Sequence, residues 1–401
     1  MRLLIVNLFF DIGGVETLLA RLIPLLKNKG VDVTLLIIKN RIDPELIHSV
    51  SPFCKVIFLK DAFPFTKKSL ERFFGPDFDV VFFTITWSVI FGSWLLGRAN
   101  YHRAAAVFGV YQTEIFCEET LSDFYYQKLV RRLIAERIPP SSIIFGNTAG
   151  RDAHASGLGM DLSASPVIRL LVDVDKYHYK NRSLFIRRKM VSIGRIVDFK
   201  TYNFTMLSVV KTLIDRGHAV EWHVYGDGPQ LGEFERAIKS LDLTKYVFAH
   251  GPMPYSEFEA VLDEAFVFIG SGTSLIEAAA CGVPALTTIE YSKSPDSYGF
   301  ICDIDGFNLI EPGLDRTVYS IEEKIEKLLG CSSDEYLEIQ KRCRIKANEY
   351  SGDNVVSDYV AVFDVAKTTG AGIEVSNWNM VSSVFNAIFR KILGAVRSKR
   401  H

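Results

Sequence analysis

Much of what this sequence lacks narrows its function. It has no surplus of charge: 46 lysines and arginines stand against 47 aspartates and glutamates, a formal net charge of −1. Bulk electrostatics therefore recruit neither nucleic acid nor membrane. It has no close cysteine pairs. Cys54, Cys117, Cys281, Cys302, Cys331 and Cys343 are scattered, which leaves zinc and dithiol motifs unsupported and fits a reducing cytosol. His102, His154, His178, His223 and His250 show no ligand spacing and read as structural histidines. No Gly-x-Ser-x-Gly elbow marks a serine hydrolase. Met1–Phe10 is apolar, but Asp11 interrupts it and no small-residue cleavage site follows, so it reads as a first strand rather than a signal peptide. Val80–Gly97 carries no charge over eighteen residues, the length that nominates a membrane span. Thr84, Thr86, Ser88 and Ser93 dilute it and Gly92 breaks it. A buried strand followed by a helix is the expectation there.

What is present is a globular composition, 48% hydrophobic and 23% charged over 401 residues, enough for two domains. Short apolar runs alternate with helical stretches: Leu3–Leu8, Asp32–Ile38, Val56–Leu59, Val80–Phe83, Ala104–Val110 and Ile143–Phe145. A polar stretch with Lys180, Arg182, Arg187, Arg188 and Lys189 follows. A second series then runs through Met190–Ile193, Val220–Tyr225, Tyr246–Phe248, Phe266–Ile269, Ala285–Thr288 and Asn308–Ile310. The alternation predicts α/β architecture with parallel sheets covered on both faces. The expected organisation is two doubly wound, Rossmann-like domains, 1–172 and 190–352, joined by a linker at 173–189. A crossover helix at 353–366 and a joint leading to a basic amphipathic helix (367–401) complete it.

Ligands of such sheets bind at the carboxyl ends of strands, and four glycine turns fall there. Gly13-Gly14 follows the first strand. Gly194-Arg195, with Lys200 five residues on, follows the first strand of the second series. Gly226-Asp-Gly-Pro229 follows the next. Gly270-Ser-Gly-Thr-Ser274 opens a helix that holds Glu277 and ends at Cys281-Gly-Val-Pro284. A helix start offers unpaired N–H groups and a positive dipole end to an anion. Two cations beside it suit a diphosphate. Glu277, a turn further in, suits a neutral diol such as a ribose. Asp173-Val-Asp175 and Asp303-Ile-Asp305 mimic a metal-binding pair but lie away from this site and read as loop residues; no metal is expected.

Together these segments resemble family 4 glycosyltransferases over residues 1–366, with Asp303–Leu309 similar to a later family segment. The resemblance implies the GT-B fold, two facing doubly wound domains, and transfer of a sugar from a nucleotide-diphospho-sugar with retention and without metal or other cofactor. It implies that Arg195 and Lys200 hold the diphosphate and Glu277 the ribose. Gly194, Gly226, Gly272, Thr273 and Ser274 would surround the phosphates. Phe248–Tyr255, including Met253, would line the base, and Gly13 and Gly14 would let the facing domain close. The family's usual first glutamate is replaced by Ile269, and its usual histidine is missing from Phe108–Glu114, where Gln112 or Glu114 would face the sugar or acceptor unless they are plain loop residues. A nucleotide-sugar epimerase and a non-catalytic assembly subunit of the same fold remain open as alternatives.

After the joint, Trp378, Val381, Val384, Phe385, Ile388, Phe389, Ile392, Leu393 and Val396 recur at helical spacing, with Arg390, Lys391, Arg397, Lys399 and Arg400 and no acid among them. Such a helix suits an anionic membrane surface, with Trp378, Phe385, Phe389, Arg390 and Lys391 as contacts. The expectation is a cytoplasmic enzyme, peripheral at the inner face of the cell membrane. Its acceptor would be a glycan or lipid-linked glycan in bacterial surface-polysaccharide synthesis.

Overall fold

A computed structural model describes residues 1–11, 13–101, 103–111, 116, 124–182 and 188–398, with backbone only from 390 onward. It divides into two units, Met1–Leu171 with Gly352–His401, and Val172–Ser351.

The first unit alternates β1 (Arg2–Asn7), α1 (Gly14–Asn28), β2 (Asp32–Ile37), α2 (Pro44–Val50), β3 (Lys55–Phe58), α3 (Lys67–Phe74), β4 (Val80–Phe83), α4 (Thr86–Arg98), β5 (Ala105–Val110), α5 (Tyr125–Arg137), β6 (Ile143–Phe145) and α6 (Thr148–Leu158). Its six strands are parallel in the order β3-β2-β1-β4-β5-β6. Leu3–Val6 and Val80–Phe83 are buried throughout, because helices cover both faces of the sheet. The charge-free stretch from Val80 is thus a central strand and a helix. Among the described residues no helix is long and apolar enough to cross a membrane.

The second unit contains β7 (Lys189–Ile193), α7 (Tyr202–Asp215), β8 (Glu221–Tyr225), α8 (Leu231–Ser240), β9 (Val247–Gly251), α9 (Phe258–Leu262), β10 (Ala265–Gly270), α10 (Thr273–Ala280), β11 (Ala285–Thr287), a small antiparallel pair β12 (Asp296–Ser297) and β13 (Tyr319–Ser320), α11 (Ile321–Gly330) and α12 (Ser333–Asn348). The main sheet is parallel, in the order β11-β10-β7-β8-β9. Two expectations change. The stretch at 173–189 is more than a linker: Val174 and Tyr177 are buried in the core of the second unit, because apolar residues are interleaved with its charges. Asn308–Ile310 is a loop, not a strand; its carbonyls accept from the Glu290 backbone N–H (2.9 Å) and from the Arg316 guanidinium (3.0 Å).

The chain then returns to the first unit. In α13 (Gly352–Thr369), Val355, Val356, Tyr359, Phe363 and Ala366 join the core that α1 covers. Ile373 and Val375 are buried beyond it, and the Ala371 carbonyl accepts from Ala106 N–H at 3.1 Å. The stretch expected as a free joint is therefore part of the body. The last helix is α14 (Asn377–Ser398).

Candidate functional site

In each main sheet the strand order reverses once, between β1 and β4 and between β7 and β10. Doubly wound sheets bind ligands at the carboxyl ends of the strands beside such a reversal. In the second unit the predicted residues gather there. Glycine at 226 is required: a Cβ on it would lie 1.9 Å from the Gly194 carbonyl oxygen, and one on Gly228 would lie 2.2 Å from that of Ile196. This closeness lets Gly194 N–H donate to Tyr225 O (2.9 Å), Ile196 N–H to Asp227 O (2.8 Å) and Gly226 N–H to Gly251 O (2.8 Å). Three strand ends are stitched into one backbone shelf.

Lys200 reaches back over that shelf. Its Nζ would be 3.1 Å from a Cβ on Gly194, and Tyr202 Oη lies near both Gly194 and Gly270. Burial pulls the Lys200 pKa down, Glu290 opposes that shift and Arg195 adds to it, so both charges are neighbours of the amine. Arg195 itself is exposed. Glu290, which the sequence reading missed, has its pKa pushed up to about 7 by burial, with Lys200 opposing the shift.

Helix α10 starts at the same reversal. Gly272 caps it with φ 76°, and Ser274 Oγ donates to the Ile193 carbonyl (2.8 Å), tying the helix start to the end of β7. The turn before it is only Ser271-Gly272. Ile269, eight residues before Glu277 and the position of the family's first glutamate in the resemblance, is fully buried in β10. Glu277 is 2% exposed and accepts a hydrogen bond from the Tyr255 hydroxyl. Tyr255 Oη is also 2.5 Å from Tyr177 Oη, and Lys176 Nζ sits 4.6 Å from the centre of its ring. Met253 packs partly buried against the core of this unit.

The remaining candidates belong to the first unit. Gly13 and Gly14 lie at the reversal beside β1. The missing side chain at 13 leaves room for Glu16, which accepts from Asn7 Nδ2 at 2.9 Å and whose pKa burial raises. Gln112 and Glu114 lie outside the described residues. Among the described residues no group of three or more His, Cys, Asp or Glu could hold a metal ion; Asp303 is paired with Arg342 at 2.7 Å.

Helix α14 reverses the usual arrangement of an amphipathic helix. Its polar residues face the body. Asn377 Oδ1 accepts from Trp94 Nε1 (2.8 Å), Asn379 Oδ1 from the Tyr125 hydroxyl (2.9 Å) and Asn386 Oδ1 from Tyr125 N–H (3.0 Å), while Ser383 is buried. Met380 packs against the core of the first unit, but five other apolar residues face outward: Trp378 is 75% and Phe385 71% exposed, with Val381, Ile388 and Phe389 exposed beside them. The side chains of Arg390 and Lys391 are not among those described.

Solved structures align over nearly the whole chain. Anabaena HepE in complex with UDP and glucose covers 91% of this chain and 100% of its own at TM-score 0.65 and 15% identity. Sucrose-phosphate synthase from Thermosynechococcus elongatus covers 92% and 100% at TM-score 0.65 and 14% identity. The fold is GT-B. Residues 176–347, nearly all of the second unit, match the family model described as glycosyl transferases group 1. Curated relatives match in part. A 2-deoxystreptamine N-acetyl-D-glucosaminyltransferase of Niallia circulans is 32% identical over 25% of this chain and 28% of its own. The putative colanic acid biosynthesis glycosyltransferase WcaL of Escherichia coli K12 is 23% identical over 59% and 57%. The chain thus spans from about a quarter to somewhat over half of these relatives' length. The GT-B shelf, the helix start and Glu277 all lie within the matched 176–347 region.

Proposed function

We propose that this GT-B protein is a retaining, metal-independent glycosyltransferase of the family 4 type. It would move a sugar from a nucleotide-diphospho-sugar to a glycan or lipid-linked acceptor in surface-polysaccharide synthesis. One observation carries the reading: Lys200, the neighbouring Arg195 and the start of α10 converge on one glycine shelf at the strand reversal. That set suits a diphosphate. When the bond between the anomeric carbon and the β-phosphate oxygen breaks, its electron pair leaves with the phosphate. Cations and helix-start amides held in place beforehand stabilise that charge without reorganisation. The acceptor hydroxyl forms the new bond to the anomeric carbon and passes its proton to an oxygen of the departing diphosphate. Glu277 takes the ribose. The similarity to group 1 glycosyl transferases over this unit supports the same reading.

Calorimetry with UDP, GDP and ADP tests it. Binding of a nucleoside diphosphate should be seen with the wild type and lost with Arg195→Ala/Lys200→Ala. Equal binding by both proteins would refute the site. With the matching nucleotide-sugar and no acceptor, release of free nucleotide or of an epimerised sugar would favour an epimerase.

The outward apolar face of α14 supports attachment to an anionic membrane, with the protein cytoplasmic and peripheral at the inner face. Burying Trp378, Phe385 and Phe389 in a bilayer interface contributes about 1.5–3 kcal/mol each. Each of the five cations in the sequence from 390 to 400 adds about 1 kcal/mol on anionic lipid. A membrane-bound enzyme is well placed for a lipid-linked acceptor.

A further inference from the structure

Glu277 cannot receive a ribose in the conformation described. Its side chain is buried, and the Tyr255 hydroxyl already donates to Oε1. A vicinal diol recognised by a carboxylate places its hydroxyls on the carboxylate oxygens, so the tyrosine hydroxyl holds the place of one of them. Tyr255 is suited to move. It follows Pro254 at the start of a one-turn segment, Tyr255–Glu257, is 47% exposed, and rests on the surface side chain of Lys176. Glu277, by contrast, is fixed within α10.

On the reading of Glu277 as the ribose ligand, we propose that Tyr255 is a binding-site gate. Its hydroxyl stands in for a ribose hydroxyl in the conformation described, and a nucleotide must displace it. Tyr177, whose hydroxyl meets that of Tyr255 at 2.5 Å, holds the closed position from the far side. The gate explains how a carboxylate stays in a largely dry site between substrates: it always has a donor, first the tyrosine and then the sugar. It also makes the site selective. A ligand that offers only phosphates gains nothing from opening it, whereas a nucleotide with a free diol does.

Tyr255→Phe removes the competing hydroxyl and keeps the ring's contacts with the Phe258 ring, 5.9 Å between centroids, and with Lys176. Titrations of the full chain with UDP, GDP and ADP identify the nucleotide bound by the wild type, and the same nucleotide and inorganic pyrophosphate are then titrated into the variant. The expected result is a nucleotide Kd lowered about tenfold, the weight of one hydrogen bond to a charged group, with a faster association rate and an unchanged pyrophosphate Kd. Nucleotide binding by the wild type with equal or weaker binding by Tyr255→Phe would overturn the gate. So would a parallel shift for nucleotide and pyrophosphate, which marks general loosening. Glu277→Ala separates the two readings. If it binds nucleotide as well as the wild type, the ribose assignment fails and the gate with it. If it binds weakly while Tyr255→Phe does not gain, only the gate fails.

Discussion

The charges of Lys200 and Glu290 both depend on their surroundings. Each loses solvation by burial, and each opposes the other's shift. For Glu290 the sign of the consequence is fixed. Its folded pKa, about 7, lies above the ordinary 4.5, so the folded form holds the proton longer than the unfolded chain. That stabilisation is complete below pH 4.5 and is lost as the pH rises through 7. Glu290→Gln should therefore be more stable than the wild type at pH 8 by roughly 1–3 kcal/mol, and the difference should vanish near pH 4.5. Urea unfolding at both pH values checks it, and a difference independent of pH would remove Glu290 from the account. At the diphosphate, Arg195→Ala should lower transfer by about ten- to hundredfold, the weight of one charge-assisted hydrogen bond, with an unchanged thermal midpoint. Arg195 and Lys200 were legible because they follow a strand and a glycine in sequence. Glu290 was not, and Tyr255 was read only as the end of the base-lining stretch: they reach Lys200 and Glu277 from 90 and 22 residues away, and only folding brings them together.

At the level of elements, glycine turns and strand periodicity carried most of the information. Gly226-Asp-Gly-Pro marked a strand end, but why the glycines are needed is a fact of neighbouring backbones. Gly226→Ala puts a methyl group 1.9 Å from a carbonyl oxygen and should destabilise the second unit by roughly 2–4 kcal/mol, measured by denaturant unfolding. A loss below 0.5 kcal/mol would mean the shelf is looser than described. The alternation predicted eleven of the main-sheet strands. It also predicted Asn308–Ile310, which is held by side-chain and backbone bonds in a loop instead. The opposite error came at 173–189, where charges hid Val174 and Tyr177. Helix α14 was visible from its spacing, but which face it turns outward was not. Asparagine bonds to Trp94 and Tyr125 decide that.

For the whole molecule, near-neutral net charge argues against general attraction to membranes, so the proposed attachment would rest on α14 alone. Replacing Trp378, Phe385 and Phe389 together with serine leaves Asn377, Asn379 and Asn386 in place, and should move the protein from anionic vesicles into the soluble fraction with little change in stability. Truncation after Ala366 is a poorer test, since it also removes the buried Ile373 and Val375. Unchanged sedimentation with phosphatidylglycerol vesicles would contradict the membrane role. The central claim is chemical: the glycine shelf and the start of α10 in the second unit cradle the donor's diphosphate. A crystal structure with the bound nucleoside diphosphate tests it most directly. The account predicts phosphate oxygens within hydrogen-bonding distance of Lys200 Nζ and the Thr273 and Ser274 amides, with the ribose on Glu277. A nucleotide bound elsewhere, or one whose phosphates touch none of these groups, would contradict it.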